Sequence, residues 1–373
     1  MSSDEQKTSV QEDALRVLRD QIDSIDLQVQ QLINQRARCA QQVAEVKQQF
    51  QGSQQAVFYR PEREAQVLRS VMARNEGPLP DQEMARLFRE IMSVCLALEQ
   101  PLHVVFLGPV GTFTQQAVLK HFGHAVKGAP LDTLDQVFRD VESGTAHYGV
   151  VPIESANEGA VSRTLDLFSR FDVSICGEVE LQTHYHLLTG HNADVSKIKR
   201  IYAHQFAFSQ CHHWLDARYP DAERIPVVSN AEAADMVIAA GDAAAAIGSD
   251  IAAELFDLVV AERNIEDQVD SVTRYLIIGN QDVSPSGQDK TSILLLAHDK
   301  PGALYDLLEP FRRRDISLTR LETRSGSKAG WDTLFYIDFE GHRDDPEVQL
   351  LLDELEKGTV ELKQLGSYPK AVL

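Results

Sequence analysis

The sequence predicts a multidomain protein with three parts: an all-α domain, a two-lobed α/β domain and an α+β domain of ferredoxin-like order. Residues 1–51 contain neither glycine nor proline, and an unbroken stretch of this length favours one long helix. From residue 103, short runs of β-branched and aromatic residues alternate with helical stretches, which is typical of α/β domains. From residue 291 the pattern runs strand, helix, strand, strand, helix, strand.

Length and composition limit the kinds of partner. A chain of 373 residues is too long for one ordinary core, and its 43% apolar and 25% charged residues are typical of a globular protein. No apolar run approaches the length of a membrane span. A net charge of −20 repels nucleic-acid phosphates and anionic membrane surfaces, so we expect neither as a partner. A site for an anionic metabolite must therefore gather arginine and lysine locally.

The N-terminus and the cysteines indicate the compartment. Residues 1–13 are polar and acidic, without the basic start or apolar stretch of a secretory signal, so we expect the cytoplasm. The cysteines are far apart and form no CxxC pair, which predicts four buried thiols rather than a disulfide framework or a zinc site. They are Cys39, Cys95, Cys176 and Cys211.

Apolar residues of the first helix keep a 3-4 spacing over about four to five heptads, which requires partners along the whole helix. This apolar stripe consists of Leu15, Leu18, Ile22, Ile25, Val29, Leu32, Val43 and Val46. Pro61 suits the first turn of a second helix, which ends in the segment 75–80. A third helix begins after Asp81 and carries its own apolar stripe.

Arg36 occupies a heptad position between Val29 and Val43 where the pattern demands an apolar side chain. A buried guanidinium needs an anion, and Lys47 lies within about 20° of the same helix face and about 16 Å further along it. Two basic side chains could therefore hold one small anion, unless Arg36 is a polar residue that sets the helix register. On the third helix, Glu99 extends the apolar stripe and would otherwise be an unpaired inward acid.

Over about residues 9–100 these features resemble the all-helical chorismate mutase family, in which two three-helix chains intertwine around the substrate. The family's functional positions match Arg19, Arg36, Lys47, Arg63 and Glu64. Arg19 is about 100° round the helix from Arg36, and the resemblance implies that it serves the site of the other subunit. Where the family often has Asp, Ser and Gln, this chain has Arg60, Cys95 and Glu99.

The family rearranges chorismate, a dicarboxylate, by a pericyclic reaction that needs no nucleophile. The resemblance therefore implies a cationic cage that selects the reactive conformer and stabilises charge on the breaking ether oxygen. Lys47 is the expected donor to that oxygen, with Arg36 and Glu99 as further catalytic residues. The expected substrate-binding residues are Arg19, Arg63, Glu64 and Cys95.

Three segments of the α/β domain carry residues suited to an anionic substrate. Gly108 and Gly111 lie between a strand and a helix whose N-terminal amides would attract a carboxylate, although any βα turn can be rich in glycine. The segment 150–159 follows a second strand. Thr273 and Arg274 come just before the last strand of the domain, and in isolation they would be a strand residue and a surface charge.

Together these segments resemble the prephenate dehydratase family over about residues 103–280. The resemblance implies a fold like that of periplasmic binding proteins, with the site in the cleft between the lobes. It makes Thr273 catalytic, because its hydroxyl can assist departure of the ring hydroxyl while the substrate loses a carboxylate and becomes aromatic. The expected substrate-binding residues are Thr112, Glu154, Ser155, Gln210 and Arg274. No metal or organic cofactor is implied.

The chain departs from the dehydratase family within the expected site. Ser155 and Ala156 replace Asn and Ser, Ala203 replaces Ser, and Ser271 replaces Asn. Each change alters a hydrogen-bonding group, so an active mutase joined to a dehydratase-like domain of weak or altered activity is an alternative. A non-catalytic protein that binds prephenate or an amino acid is another.

The segment 280–290 is polar and rich in Ser, Pro and Gly, which predicts a linker. The residues beyond it resemble the ACT domain, an amino-acid-sensing module, and this resemblance implies inhibition by phenylalanine. The matching effector residues are Gly302, Ala303, Leu304, Glu322 and Thr323. The expected units are a chorismate mutase domain at 1–101, a prephenate dehydratase domain at 102–280 and an ACT regulatory domain at 290–370, in a homodimer or larger homo-oligomer.

Overall fold

The computed structural model describes residues 3–51, 59–155, 159–298, 300–325 and 333–373. Its N-terminal part is helical, as predicted, with one long helix and two shorter ones: α1 (Ser3–Gln51), α2 (Pro61–Ala73) and α3 (Asp81–Glu99). Pro61 begins α2, and Glu62 and Glu64 lie in its first turn, where negative charge is favourable. Helix α3 packs against both α1 and α2.

The apolar stripe of α1 is largely exposed within one chain. Its side chains from Leu15 to Val46 are between 41% and 64% exposed. A helix that exposes so many apolar residues in register has an unpartnered face.

The first lobe of the α/β part is a mixed sheet in the order β2-β1-β3-β11-β5, with β4 beside β3. Its strands are β1 (His103–Leu107), β2 (Lys127–Leu131), β3 (Tyr148–Ser155), β4 (Gly159–Ala160), β5 (Ser174–Gln182) and β11 (Val272–Gly279). The helices of this lobe are α4 (Phe113–Phe122), α5 (Leu134–Glu142) and α6 (Ser162–Phe168). Strand β11 lies between β3 and β5 and is antiparallel to both.

The second lobe is a sheet in the order β10-β6-β9-β7-β8. Its strands are β6 (His186–Thr189), β7 (Arg200–His204), β8 (Glu223–Val227), β9 (Ala244–Gly248) and β10 (Val259–Glu262). Its helices are α7 (Gln205–Gln210), α8 (His212–Arg218), α9 (Asn230–Ala240) and α10 (Asp250–Leu255). The chain crosses between the lobes from β5 to β6 and again from β10 to β11, which confirms the predicted two-lobed division.

The C-terminal part has the predicted βαββαβ order and forms a sheet in the order β13-β14-β12-β15. Its elements are β12 (Asp289–Ala297), α11 (Ala303–Arg313), β13 (Leu318–Ser325), β14 (Thr333–Glu340), α12 (Pro346–Gly358) and β15 (Glu361–Pro369). One hydrophobic core joins this sheet to the first lobe, because Leu294, Tyr336 and Tyr368 pack in the same cluster as Ile153 and Leu276.

The two sheets approach each other closely at Gly366. Its φ of +146° disfavours a side chain, and a Cβ at this position would lie 2.3 Å from the carbonyl oxygen of Ile175. Strand β15 can therefore lie against β5 only with glycine here.

The structure corrects two local expectations. Cys39 on α1 is exposed, whereas Cys95, Cys176 and Cys211 are buried as predicted. The predicted linker is partly ordered: the Val283 side chain is buried against the first lobe. Among the described residues, no helix combines the length and the apolar character needed to cross a membrane.

Candidate active sites

Arg36, Lys47 and Glu99 form one cluster between α1 and α3. Lys47 Nζ lies 3.9 Å from Glu99 Oε2, and the two side chains are 20% and 12% exposed. Burial raises the pKa of Glu99, whereas the positive charges of Lys47 and Arg36 act to lower it. Cys95 is one turn before Glu99 on α3 and is buried. The helical periodicity in the sequence thus predicted the grouping of Arg36, Lys47 and Glu99.

Arg19 is exposed on α1. Seventeen residues separate it from Arg36, which is about 25 Å along a helix. Within one chain, Arg19 therefore lies far from the cluster of Arg36, Lys47 and Glu99.

Glu64 takes a different partner from Glu99. Its Oε1 lies 3.3 Å from Nε of Arg89, and Nη1 of Arg89 donates to the carbonyl oxygens of Lys120 at 2.8 Å and His121 at 2.9 Å. Burial raises the pKa of Glu64, against the lowering effect of Arg89. Glu64 therefore faces the C-terminal end of α4, whereas its neighbour Arg63 is exposed.

Sequence reasoning missed Arg89, which is 7% exposed. The available signal was the spacing of Ala85, Arg89 and Ser93 every four residues, all of which are buried on one side of α3. An arginine between two small residues on one helix face is suited to reach across to another domain.

Thr273 lies at the start of β11, where the chain returns from the second lobe. Its hydroxyl is 3.2 Å from the hydroxyl of Thr183, which follows β5 at the other crossing. Ser155 is directly opposite Thr273 in the antiparallel ladder, so the two side chains share one face of the sheet. On that face, the hydroxyl of Tyr275 bonds the side chain of Thr114. The structure therefore brings these hydroxyl groups together at the cleft.

The turn before α4 lies at the boundary of the two lobes. Thr112 is the residue before α4 and is half-buried, and its hydroxyl donates to Leu107 O at 3.5 Å. Gly111 has a φ of +84°, and a Cβ there would lie 3.2 Å from Phe256 and 3.3 Å from Ala231 in the second lobe. Ser249 of the second lobe donates to Gly111 O at 3.4 Å.

A β-bulge in β3 separates Glu154 from this site. Tyr275 pairs with Pro152 and Arg274 with Glu154, so Ile153 is an extra residue on β3. As a result Glu154 points away from Thr273, and its Oε2 lies 3.5 Å from Nε of Arg320 on β13. The expectation that Glu154 binds substrate in the cleft is therefore corrected: its carboxylate faces the C-terminal sheet.

Arg274 is also on the face opposite Thr273, because successive residues of a strand point to opposite sides. Its guanidinium donates to Glu178 at 2.8 Å, Asp338 at 2.6 Å and the Tyr368 hydroxyl at 3.0 Å. Burial acts to lower the pKa of Arg274, but these partners raise it above its usual range. Arg274 is neither a surface charge nor a cleft residue; it joins the first lobe to the C-terminal sheet.

The remaining dehydratase positions lie in different surroundings. Gln210 ends α7 in the second lobe, and its carbonyl oxygen accepts from Asp267 N at 2.7 Å. Ala203 is fully buried in β7. Ser271 is buried beside the crossing, where its carbonyl oxygen accepts from Thr183 N at 2.8 Å. Ala156 lies outside the described residues.

The predicted effector residues fall into two groups on the C-terminal domain. Gly302 has a φ of +84° and precedes α11, where Leu304 is 43% exposed. Ala303 lines a cavity of about 290 Å³ between α11 and α12. Glu322 and Thr323 lie instead on the edge strand β13, and Glu322 Oε1 is 3.7 Å from Nη2 of Arg320.

Comparisons with known proteins cover nearly the full chain. The family model for chorismate mutase type II matches residues 18–100, that for prephenate dehydratase matches 104–283, and that for the ACT domain matches 291–357. The bifunctional chorismate mutase/prephenate dehydratase of Pseudomonas aeruginosa is 53% identical over 97% of this chain and 99% of its own. That of Neisseria gonorrhoeae is 45% identical over 95% and 97%.

Solved structures match the α/β and C-terminal parts. The prephenate dehydratase of Arthrobacter aurescens, solved in complex with L-Phe, is 32% identical with a TM-score of 0.67 and covers 72% of this chain and 90% of its own. GqqA, described as a novel type of quorum quenching acylase, is 27% identical with a TM-score of 0.67 over 72% and 98%. From its three matched domains and its full-length relatives, the chain belongs to the bifunctional chorismate mutase/prephenate dehydratase family.

Proposed function

We propose that the chain rearranges chorismate to prephenate in its helical domain and converts prephenate to phenylpyruvate in its two-lobed domain, under inhibition by phenylalanine through its C-terminal domain. The observation that carries the proposal is the meeting of Arg36, Lys47 and Glu99 between two helices, because a cationic cage with one acid suits a dicarboxylate ether. Similarity over nearly the full chain supports the pair of activities.

In the helical site, Lys47 donates a hydrogen bond to the ether oxygen of the C–O bond that breaks. Arg36 binds a substrate carboxylate. The raised pKa of Glu99 supports a role as a second donor, since a carboxyl group can donate only when protonated. Arg63 and Cys95 complete the substrate contacts in this proposal, whereas the expected contact of Glu64 is left out because Glu64 is paired with Arg89 at the end of α4. No covalent intermediate forms, so catalysis is by selection of a conformer and by charge stabilisation.

In the two-lobed site, the hydroxyl of Thr273 gives hydrogen-bond support to the departing ring hydroxyl. The C–OH bond breaks with uptake of a proton to release water, and the C–CO₂ bond breaks to release carbon dioxide, leaving the aromatic ring of phenylpyruvate. Thr112, Ser155 and Gln210 bind the substrate in this proposal. The 3.2 Å contact between Thr183 and Thr273 supports a fixed hydroxyl position at the crossing.

The proposal includes a homodimer. The exposed apolar stripe of α1 supports packing of a second chain against this helix. The distance between Arg19 and Arg36 within one chain supports a site to which both chains contribute. The proposed units are residues 1–101, 102–280 and 290–370, and the proposed compartment is the cytoplasm. The effector residues of the proposal are Gly302, Ala303, Leu304, Glu322 and Thr323.

A dehydratase-like domain of altered chemistry is the second candidate. The observation that favours it is that Ser155, which replaces the family's usual Asn, lies directly opposite Thr273. A fold relative that is named for acylase activity, GqqA, also has this two-lobed fold.

One experiment separates the candidates: purified protein is given chorismate and the products are resolved by chromatography. We expect phenylpyruvate. Accumulated prephenate, or another product, would instead support the altered domain, and no turnover would support a binding protein.

The same assay tests Thr273. Replacing Thr273 with Ala should slow phenylpyruvate formation by about 100-fold or more and cause prephenate to accumulate, while chorismate consumption stays near normal. Val272→Ala changes the exposed neighbour on the same strand and serves as the matched control. Normal phenylpyruvate formation by Thr273→Ala would remove this residue from the mechanism.

A further inference from the structure

Arg320 of β13 reaches from the C-terminal sheet into the first lobe. Arg320 is buried, with 8% of its surface exposed, and its Nη2 donates to the carbonyl oxygen of Ile153 at 3.2 Å. Ile153 is the extra residue of the bulge in β3, two positions before Ser155. The guanidinium also lies 5.5 Å from the ring centre of Tyr336 on its own sheet.

The donors of Arg320 are incompletely used. Within the described residues, Nε and Nη1 are buried and have no hydrogen-bond acceptor. Arg274, at the same interface, is bonded through Nε, Nη1 and Nη2 at 2.6–3.0 Å. A buried donor without an acceptor is costly, so Arg320 gains from any small movement that brings a carboxylate closer.

Two carboxylates are within reach of such a movement, one from each domain. Glu154 Oε2 is 3.5 Å from Nε, and Glu322 Oε1 is 3.7 Å from Nη2. Both distances exceed those of a well-formed charge-assisted hydrogen bond, about 2.7–2.9 Å. Neither carboxylate is buried, since the side chains of Glu154 and Glu322 are 42% and 34% exposed.

We propose that Arg320 is the positioning residue that couples the effector site to the dehydratase cleft, by shifting between Glu322 and the bulge of β3. This rests on the proposed inhibition by phenylalanine. An amino-acid effector that binds Glu322 changes the negative charge and the acceptor oxygens that this carboxylate presents to Arg320. Arg320 then moves relative to Ile153 O and Glu154, and the bulge carries the change to Ser155, which faces Thr273.

The test uses the full chain with Arg320→Gln. Phenylalanine binding is measured by calorimetry, and dehydratase kcat/KM is measured with and without saturating phenylalanine. Binding should remain, while the effect of phenylalanine on kcat/KM should shrink at least about fivefold, the lower end of common coupling factors. Arg343→Gln is the matched control, because Arg343 is a C-terminal-domain arginine that pairs with Asp282 near the surface, and it should keep the full inhibition.

The outcomes distinguish this inference from the proposed function. If the unaltered protein neither binds phenylalanine nor is inhibited by it, the proposed regulation itself fails. If it is inhibited and Arg320→Gln is inhibited equally, the coupling role is wrong, and loss of binding in Arg320→Gln would make Arg320 an effector ligand instead. If Arg320→Gln does not fold, Glu154→Gln takes its place in the experiment. This variant removes the partly exposed carboxylate, and it should weaken inhibition by phenylalanine without weakening phenylalanine binding.

Discussion

A carboxyl group donates a hydrogen bond only while it is protonated, and the surroundings of Glu99 act on its proton in opposite directions. Burial raises its pKa, and Lys47 at 3.9 Å and Arg36 act to lower it. The net shift is upward, so the protonated form persists to higher pH than for an exposed glutamate.

If protonated Glu99 supports the breaking bond, mutase kcat/KM should decline as pH rises through the ionisation of Glu99. Glu99→Gln should remove most of this decline, because an amide donates at every pH. Glu90→Gln, on the same helix but paired with His124 near the surface, is the control and should keep the decline. A flat profile for the unaltered protein, or the same slope in Glu99→Gln, would leave the role to Lys47 alone.

At the scale of single residues, periodicity in the sequence predicted which side chains lie together where the helix or strand is regular. The helical repeat grouped Arg36, Lys47 and Glu99, because 3.6 residues per turn fixes the face of each side chain. The same kind of reasoning misplaced Glu154 and Arg274. Their orientation depends on strand alternation and on one extra residue in β3, and no local signal in the sequence reports a bulge.

At the scale of elements, the close contact of β15 with β5 makes the C-terminal sheet a structural part of the first lobe. Tyr368 and Leu294 share a core with Ile153, and Arg274 and Glu178 are buried between the two domains. Burial acts to raise the pKa of Glu178, but Arg274 and Lys290 lower it below its usual value. Removing the C-terminal domain would take Asp338 and Tyr368 away from Arg274 and Lys290 away from Glu178, so point substitutions are better probes of the sensor than truncation.

Gly366→Ala tests this contact. The new methyl group would lie 2.3 Å from Ile175 O, and a forced shift of this kind costs roughly 1–3 kcal/mol in the free energy of unfolding. Gly287→Ala is the control, because Gly287 also has a positive φ, +92°, but no atom within 4 Å of its ideal Cβ. Urea unfolding should therefore show a larger loss for Gly366→Ala. Equal losses would mean that backbone strain alone, rather than the contact, limits both positions.

The order of helices and strands was predictable because each has its own local hydrophobic pattern. The contacts between elements that are distant in the sequence were not predictable. The hydrogen bonds from Arg89 to the end of α4 join residues that are more than thirty positions apart. Its acceptors are main-chain carbonyl oxygens, which every residue possesses, so nothing in the sequence distinguishes these two from others.

At the scale of the whole molecule, the proposed dimer makes each mutase site depend on two chains. Arg19→Ala and Lys47→Ala should each be nearly inactive as mutases alone. In a mixed dimer, the chain with intact Lys47 receives intact Arg19 from its partner, so random mixing should restore about a quarter of the normal activity. The variants are co-produced with different tags, and dehydratase activity on added prephenate normalises the amounts.

Arg16→Ala is the control for this experiment, since Arg16 lies near Arg19 on α1 but pairs with Asp13 on its own chain. It should retain mutase activity without any partner variant. If the mixture of Arg19→Ala and Lys47→Ala stays as inactive as its parents, the site does not draw on two chains.

The bulge in β3 also affects how this stretch of chain tolerates insertions and deletions. Ile153 and Glu154 both face the C-terminal sheet, because two residues occupy the place of one, and Ser155 faces Thr273. Loss of Ile153 would leave Pro152 opposite Tyr275, Glu154 opposite Arg274 and Ser155 opposite Thr273, so the ladder would become regular and the Ser155 hydroxyl would stay on the face of Thr273. An inserted residue that no bulge absorbs would instead turn Ser155 away from Thr273, since a one-residue slip exchanges the faces of a strand. Deletion of the extra residue is therefore compatible with the pairing of Ser155 and Thr273, whereas an insertion needs a further bulge to preserve it.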